Sequence, residues 1–172
     1  GTGSTYFVTD DYVDTGATFQ TTFRGSFTIS MWVKPDDGQT TESSFFGTRN
    51  STSEDWIHCN LQADGDIEVH YESDNDAVDA RTDSVVFADG ATDWTHLTVV
   101  ADSVVEQLYI YINGVNQTLD GSKDGDLSST TMSDWTSSDE LFFGARDNNG
   151  TAEKFFNGSM KNVAIWSRAL TA

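Results

Sequence analysis

The sequence has one cysteine, one proline and few basic residues, and each of these scarcities excludes a class of protein. Cys59 has no partner for an internal disulfide, which leaves a buried thiol or an intermolecular link. No apolar run approaches the roughly 20 residues of a membrane span, so direct membrane insertion is not expected. Nine basic residues stand against 28 acidic ones, for a net charge of −19. Binding to nucleic acid is not expected, because phosphate groups need a positive surface.

The acidic excess has two interpretations. It gives a soluble surface in any medium, and it also fits a protein adapted to high salt. At 1 M salt the Debye length is about 3 Å, so self-repulsion between the carboxylates would be screened there but not in dilute buffer. We therefore expect a halophilic or marine source as the more specific of the two interpretations.

Short runs with period-two alternation between clusters of Asp, Gly, Asn and Ser predict an all-β chain, and helical periodicity is absent. At 172 residues the chain fits a single domain, 1–172, and we expect it to be part of a larger surface protein. The predicted strands cover 27–33, 44–47, 57–61, 67–71, 84–87, 94–100, 108–112, 141–143 and 159–166.

Turn signals between these runs predict antiparallel pairing. Asp64-Gly65 and Asn113-Gly114 are typical of type I′ hairpin turns. The polar stretch 118–140 is longer than a turn and is expected to form a functional or decorated loop. Many short antiparallel strands with such turns predict a two-sheet β-sandwich, or jelly roll.

Several segments, in this order, resemble the laminin G-like, concanavalin A-like lectin and glucanase superfamily, which includes the pentraxins. They are FTISMWVKP at 27–35, DGATDWTHLTVVAD at 89–102, LYIYINGV at 108–115 and the closing segment 141–172. The resemblance implies a concanavalin A-like sandwich. Members of the family serve as adhesion, glycan-binding and protein-binding modules, often with calcium, and the fold also carries glycoside hydrolases.

Calcium is the cofactor that the resemblance implies, because the corresponding loop of pentraxin-like relatives carries calcium ligands. Here that loop, 145–156, contains Asp147, Asn148, Asn149 and Glu153, whose side-chain oxygens suit Ca²⁺. The alternative is an ordinary Asn- and Gly-rich connection. A second acidic loop, 120–126, begins like an EF-hand but has Thr131 at the twelfth position, so a solvated loop is favoured there.

Sugar binding in sandwich lectins combines an aromatic platform with polar side chains, because a pyranose has an apolar face and a polar rim. Trp56 and Trp135 lie in polar contexts and are the predicted platform, and Tyr109 and Tyr111 share one face of a predicted strand. For Trp135 the alternative is a residue that anchors its own loop. The remaining tryptophans, Trp32, Trp94 and Trp166, lie in apolar runs and are expected in the core.

Four Asn-x-Ser/Thr sequons predict glycosylation and hence an exterior location. Their acceptors are Asn50, Asn116, Asn149 and Asn157.

An enzyme of this fold would need two carboxylates on one strand face. Glu68, Glu72 and Asp74 approach that pattern, but the further Glu of hydrolase relatives is missing. The histidines are too dispersed in sequence to predict a zinc site.

The sequence therefore predicts a non-enzymatic extracellular carbohydrate-binding or adhesion module on a cell, filament or virion surface, with 36–38, 54–56, 120–135 and 145–156 as its recognition rim. The expected partners are glycans, surface glycoproteins or other subunits of a surface assembly. The alternative is a structural or protein–protein interaction domain without glycan binding.

Overall fold

The structure of the chain is a computed structural model that describes residues 3–170. It confirms an all-β antiparallel sandwich. One short helix, α1 (Gln20–Phe23), and a 3-10 turn, Met132–Asp134, lie between strands. The strands are β1 (Thr5–Phe7), β2 (Val13–Asp14), β3 (Phe27–Pro35), β4 (Ser43–Asn50), β5 (Asp55–Leu61), β6 (Ile67–Ser73), β7 (Asp76–Thr82), β8 (Thr95–Asp102), β9 (Gln107–Ile112), β10 (Val115–Asn116), β11 (Leu119–Asp124), β12 (Phe142–Phe143), β13 (Arg146–Asn148), β14 (Thr151–Glu153) and β15 (Gly158–Trp166).

Two sheets form the sandwich. The six-stranded sheet has the order β1-β15-β3-β8-β9-β10, and the seven-stranded sheet has the order β11-β7-β6-β5-β4-β12-β2. The hairpin β13–β14 forms a third, two-stranded sheet and packs against β4. None of the helices within residues 3–170 has the length and apolar character that a membrane crossing requires.

The core lies between the two sheets, because alternate residues of each long strand point inward. On β3 these are Ile29, Met31 and Val33, and on β6 they include Ile67 and Val69, all of them fully buried. Each such side chain contributes about 1.5–3 kcal/mol through its removal from water. The residues between them point away from the core, and these outward positions hold the polar and aromatic side chains considered below.

Trp135 anchors the long connection between β11 and β12 to this core. Its indole is completely buried, with ring centroids 5.3 Å from those of Phe23 and Tyr71. Asp55, at the start of β5, also holds the connection, because its Oδ2 accepts a hydrogen bond of 2.8 Å from the backbone N–H of Thr136.

The strand predicted at 84–87 is wrong. This segment is irregular, and the backbone N–H groups of Val86 and Phe87 both donate to the carbonyl oxygen of Gly65 at 3.0 Å. The segment therefore packs on the β5–β6 turn instead of joining a sheet. β7 was not predicted from the sequence. Its inward side chains are Val78, Ala80 and Thr82, which are too small or too polar to make a strong apolar pattern.

The two predicted hairpin turns differ in outcome. Asn113 and Gly114 have φ of 52° and 78° and link β9 directly to β10, which confirms a two-residue turn of the type I′ kind. The turn predicted at Asp64-Gly65 is wider than a two-residue hairpin turn. It spans five residues, 62–66, with only Gly65 at positive φ (88°), and its N–H donates to the carbonyl oxygen of Gln62 at 2.9 Å.

Candidate functional site

The outward face of the seven-stranded sheet carries an ordered set of polar and aromatic side chains. Residues that pair across antiparallel strands project to the same side, so each register row of β4, β5, β6 and β7 forms a line across this face. The central row runs Gly47, His58, His70 and Asp79. The row beside it contains the paired residues Arg49↔Trp56, Trp56↔Glu72 and Glu72↔Ala77.

The central row is a connected chain of imidazoles and a carboxylate. The His58 and His70 rings stack with centroids 5.0 Å apart and an interplanar angle of 12°. His70 lies between two carboxylates, with its Nδ1 2.8 Å from Asp79 Oδ1 and its Nε2 3.3 Å from Glu72 Oε2. The orientation of His70 is thereby fixed from both sides.

Arg146 reaches the same row from the β13–β14 hairpin. Its Nη1 lies 3.4 Å from His58 Nδ1, and its Nε donates to Glu153 Oε1 at 3.0 Å. Gly47 makes this approach possible, because a Cβ there would lie 2.8 Å from His58 Cβ and 3.0 Å from Arg146 Cγ. The glycine is therefore required by the close contact between β4 and the hairpin.

Arg49 lies over the indole of Trp56, with the guanidinium carbon 3.6 Å from the ring centroid. This is the geometry of a cation–π contact. Within residues 3–170 no ion pair joins Arg49 to a carboxylate, and its buried Nε–H has no hydrogen-bond acceptor. We refer to the surface formed by Arg49, Trp56, His58, His70 and Arg146 as the His–Arg face.

Positive charge is concentrated on and around the His–Arg face, although the chain as a whole is strongly acidic. Five of the nine basic residues of the chain project here or border it: Arg49, Arg81, Lys123, Arg146 and Lys154. Four of these cations are paired with carboxylates, whereas Arg49 has no ion pair within residues 3–170.

His58 is held in its neutral form. Burial lowers the pKa of His58 well below its usual value, and the charges of His70, Arg146, Arg49 and Lys154 lower it further. A neutral imidazole can accept one hydrogen bond and donate another. Beside Arg146, His58 can therefore act as an acceptor for the guanidinium without adding a second positive charge.

The aromatic residues predicted for sugar binding are divided among three environments. Trp56 lies on the His–Arg face, but Arg49 covers its ring, so it supports a guanidinium instead of offering an open platform. Trp135 is completely buried and presents no surface to a ligand, so its prediction as a platform is corrected in favour of the loop-anchoring alternative. Tyr109 and Tyr111 project from β9 on the six-stranded sheet, on the opposite side of the sandwich.

Each of the four residues predicted to bind calcium is engaged in a hydrogen bond. Asp147 is buried and accepts a hydrogen bond from the N–H of Gly150 at 2.7 Å, whereas Asn148 and Glu153 interact with each other on the other side of the hairpin. Asn149 turns to Ser51, whose N–H donates to its Oδ1 at 3.0 Å. No group of three or more His, Cys, Asp and Glu side chains in the described part of the chain is arranged to hold a metal.

Asp147 is nevertheless an unusual carboxylate. Burial raises its pKa to about 6, and the negative charges of Asp139 and Asp14 act in the same direction, while the hydrogen bond from Gly150 opposes them. Its environment disfavours the ionised form.

The predicted acidic and glycosylation sites lie at the surface. Residues 120–124 of the EF-hand-like loop belong to β11, where the Oδ1 of Asp120 accepts a hydrogen bond of 2.7 Å from the N–H of Ser122. Asn116, Asn149 and Asn157 are exposed. Asn50 is half-buried, and its Oδ1 accepts hydrogen bonds of 2.9 Å from the N–H groups of Thr52 and Ser53.

The carboxylates considered for an enzyme are engaged by cations. Glu68 pairs with Lys123 and lies 3.9 Å from Arg81, and Glu72 contacts His70. Asp74 lies in the turn after β6, with φ of 50°. The three side chains therefore do not form a free acid and base on one surface.

Sequence reasoning missed His58, His70, Arg49 and Arg146 as members of one site. The signal for the two histidines is the β5–β6 register, which places His58 opposite His70 when Leu61 pairs with Ile67. Arg146 belongs to the loop 145–156, for which the sequence predicts calcium binding.

A profile of the concanavalin A-like lectin/glucanases superfamily matches residues 7–172. The fold is similar to that of NanB sialidase from Streptococcus pneumoniae, with a TM-score of 0.78, 17% identity, and coverage of 98% of this chain and 26% of that chain. It is also similar to the CBM40 of the Ruminococcus gnavus IT-sialidase bound to alpha2,6 sialyllactose, with a TM-score of 0.68, 15% identity, and coverage of 98% and 93%. A pentraxin from Limulus polyphemus gives a TM-score of 0.57 at 14% identity, with coverage of 85% and 65%.

These similarities establish a shared fold, since all are below 25% identity. The chain spans about a quarter of the NanB sialidase that it matches. By sequence, none of the curated proteins compared with the chain matches it.

Proposed function

Because the chain belongs to the concanavalin A-like lectin/glucanase superfamily, we propose that it is a non-enzymatic carbohydrate-binding module that holds an acidic glycan on its His–Arg face. The observation that carries this proposal is Arg49, which has no ion pair within residues 3–170 although the chain has 28 acidic residues. Its guanidinium presents a planar donor set that suits a carboxylate.

The surroundings of Arg49 support the same ligand class. Trp56 holds the guanidinium in place from below, at 3.6 Å, which limits the rotamer freedom lost when a ligand binds. The stacked rings of His58 and His70 continue the surface beside Trp56, whose ring centroid lies 5.5 Å from that of His70. Arg146 adds a second guanidinium at the other end of this row.

The choice of a sialylated glycan as the first probe comes from the comparison structures. The CBM40 of the Ruminococcus gnavus IT-sialidase was solved with alpha2,6 and alpha2,3 sialyllactose, and its chain is almost entirely covered by the present fold. Sialic acid carries a carboxylate, which is a suitable partner for the guanidinium of Arg49, whereas lactose has no carboxylate.

The carboxylates around the His–Arg face support binding without hydrolysis. A glycosidase needs one carboxylic acid whose pKa is raised so that it can protonate the leaving oxygen. Asp79 has the opposite property, because its hydrogen bond with His70 lowers its pKa. Glu68 and Glu72 contact Lys123 and His70.

Calorimetric titration of the protein with both sialyllactose isomers and with lactose tests the proposal. We expect sialyllactose to bind at least about tenfold more tightly than lactose, since a carboxylate–arginine contact is a charge-assisted one. Arg49→Gln removes the charge and should lower the affinity for sialyllactose by about tenfold or more.

Arg168→Gln is the matched control, because Arg168 is exposed on the segment after β15, on the other sheet's side of the sandwich. It removes the same charge and should leave the affinity within a factor of about two. Equal losses in both variants would assign the effect to net charge, and the absence of sialyllactose binding by folded protein would overturn the proposal.

An exterior location, with adhesion through surface glycans or glycoproteins, extends the proposal. It is supported by the exposed sequon residues Asn116, Asn149 and Asn157. Mass spectrometry of peptides from the protein purified from its source tests it, with glycan mass expected at one or more of these positions. Peptides that are unmodified at all of them would remove the support from glycosylation.

A further inference from the structure

A groove of about 500 Å³ crosses the outward face of the six-stranded sheet, on the opposite side of the sandwich from the His–Arg face. We refer to it as the outer groove. Its floor comes from β3 and β8, one wall comes from the end of β15 and the residues after it, and the other wall comes from the β9–β10 hairpin. The lining residues are Ser30, His96, Thr98, Val100, Tyr111 and Trp166, with Gly114 and Leu170 at the ends.

The strand register places an aromatic residue on each side of this groove. Trp166 pairs with Thr28 on β3, and Tyr111 pairs with Thr98 on β8. Since β15 and β9 are three strand spacings apart, their backbones are separated by about 14 Å. The two aromatic residues lie in neighbouring register rows and therefore face each other diagonally across the floor of the groove. Trp166, expected in the core, is half-buried at the surface instead.

The wall beside Trp166 is held in place by the hydroxyl of Thr28. This hydroxyl donates to the carbonyl oxygen of Arg168 at 2.9 Å and accepts a hydrogen bond from the N–H of Leu170 at 3.0 Å. The segment after β15 is thereby fixed against β3, which puts Leu170 at the end of the groove. The groove is formed before any ligand arrives.

The floor of the groove offers hydrogen-bonding groups. Ser30 Oγ lies 2.8 Å from His96 Nε2, and Thr98 Oγ1 donates to Ser30 Oγ at 3.3 Å. Each hydroxyl can accept two hydrogen bonds and donate one, so Thr98 retains acceptor capacity toward the groove. Ring hydroxyls of a sugar are the natural partners of such a set.

Charge distinguishes the outer groove from the His–Arg face. None of the eight residues that line it is an Asp, Glu, Lys or Arg, in a chain with 28 acidic and nine basic residues. A ligand here meets two aromatic walls and a polar floor without carboxylate, ammonium or guanidinium groups. That combination fits a molecule with an apolar face and a hydroxyl rim but without charge.

From this geometry we infer that the outer groove is a second carbohydrate site, which takes a neutral hexopyranose stacked against Tyr111 and Trp166. This site goes beyond the acidic-glycan site, shares no residue with it and does not depend on it. The volume of about 500 Å³ lies within the usual range for small-molecule sites and accommodates one or two sugar rings.

Saturation-transfer NMR and tryptophan fluorescence with the methyl glycosides of glucose, galactose and mannose test the inference. We expect at least one of them to bind in the millimolar range. Tyr111→Thr keeps a strand-forming residue and removes the ring, and it should weaken binding by about fivefold or more, as expected for the loss of one aromatic contact.

Tyr6→Thr is the matched control, because Tyr6 is an exposed tyrosine on the outward face of the edge strand β1 of the same sheet and lies outside the outer groove. It should change the affinity by less than about twofold. Ser30→Ala is a second variant with a small change in volume, and it should also weaken binding by removing a floor hydroxyl. In Arg49→Gln, binding of the neutral sugar should be unchanged, which separates this site from the proposed acidic-glycan site.

Three results would overturn the inference. The first is that no methyl hexopyranoside binds the folded protein. The second is that Tyr6→Thr and Tyr111→Thr weaken binding equally, which would indicate unspecific aromatic contact. The third is that size-exclusion chromatography finds a dimer that Tyr111→Thr dissociates, because the groove would then be a protein interface.

Discussion

At the scale of single residues, His58 is a buried ionisable side chain surrounded by cations. It is nearly enclosed, and the positive charges of Arg146, Arg49 and Lys154 lie around it. The folded protein therefore keeps His58 neutral at a pH at which the unfolded chain protonates it, which makes stability depend on pH.

The sign of this dependence follows from the lowered pKa. The usual pKa of a histidine is 6.5. Below this pH His58 is protonated in the unfolded chain but not in the folded protein, so the free energy of unfolding falls as the pH falls. The loss is at most about 1.4 kcal/mol per pH unit for one group. Urea unfolding at pH 7.5 and 5.5 should show this loss in the native protein and a smaller loss in His58→Gln.

His96→Gln serves as the control for His58, because His96 lies on the other sheet beside Ser30. If His58→Gln and His96→Gln change the pH slope equally, burial of His58 is not its cause.

Asp147 changes the free energy of unfolding with pH in the opposite direction to His58. Its pKa of about 6 exceeds the ordinary value of 3.8, so the ionised form is destabilising above pH 6 and this cost disappears as the pH falls from about 6 to 4. Asp147→Asn should raise the free energy of unfolding by about 1 kcal/mol at pH 7.5, and by less at pH 4. Asp89→Asn, at an exposed position, controls for the loss of one negative charge.

The same pair of variants tests the calcium prediction. If Asp147 binds Ca²⁺, saturating Ca²⁺ should raise the melting temperature of the native protein and of Asp89→Asn but not that of Asp147→Asn. Equal melting curves in Ca²⁺ and in chelator would contradict calcium binding and leave the burial effect in place.

At the scale of elements, the contact between β4 and the β13–β14 hairpin determines where Arg146 lies. Gly47→Ala would place a Cβ 2.8 Å from His58 Cβ and 3.0 Å from Arg146 Cγ, so the hairpin must move away. We expect a cost of about 1–3 kcal/mol in stability. The affinity for sialyllactose should also fall, as measured by calorimetry.

Gly121→Ala is the control for this substitution, since a Cβ at Gly121 meets no atom within 4 Å. Weakened binding in Gly47→Ala at a temperature where it remains folded supports a role for the hairpin. Unchanged binding would separate Arg146 from the site.

The strands that sequence patterns predicted well are those with strong apolar alternation, such as β3 and β8. β7 and β11 were not predicted, because their inward side chains are small or few. Both strands join the sheet through backbone hydrogen bonds. The segment 84–87 shows the converse. Its valines suggest a strand, yet Val85 is 54% exposed and the backbone bonds to a turn.

The site could be predicted only in part, because it depends on register. A two-residue turn at Asp64-Gly65 would pair His58 with Tyr71, and a shift of one residue moves a side chain to the other face of the sheet. The observed five-residue turn pairs His58 with His70 instead. Trp56 was identified from its polar context, whereas the covering of its ring by Arg49 is a tertiary contact that no local pattern reveals.

At the scale of the whole molecule, the net charge of −19 determines the response to salt. Self-repulsion weakens as the Debye length shortens, so the melting temperature should rise between 0.1 and 2 M NaCl, a range chosen to span screening. A gain of about 2 kcal/mol would raise the melting temperature by roughly 4–8 °C. Differential scanning fluorimetry measures this shift.

KCl at the same ionic strength should have the same effect, because screening does not distinguish the two cations. A flat response to both salts would contradict adaptation to high salt and leave the acidic surface as a soluble one.

The order of strands in the six-stranded sheet also governs how the chain can fold. β15 lies between β1 and β3, two strands that precede it by most of the length of the chain. While the chain is being synthesised, β3 therefore has a vacant edge until residues 158–166 have left the ribosome, and the sheet closes by insertion of a strand into an interior slot. The same slot would accept β15 from a neighbouring copy, so crowded nascent chains are at risk of exchanging this strand.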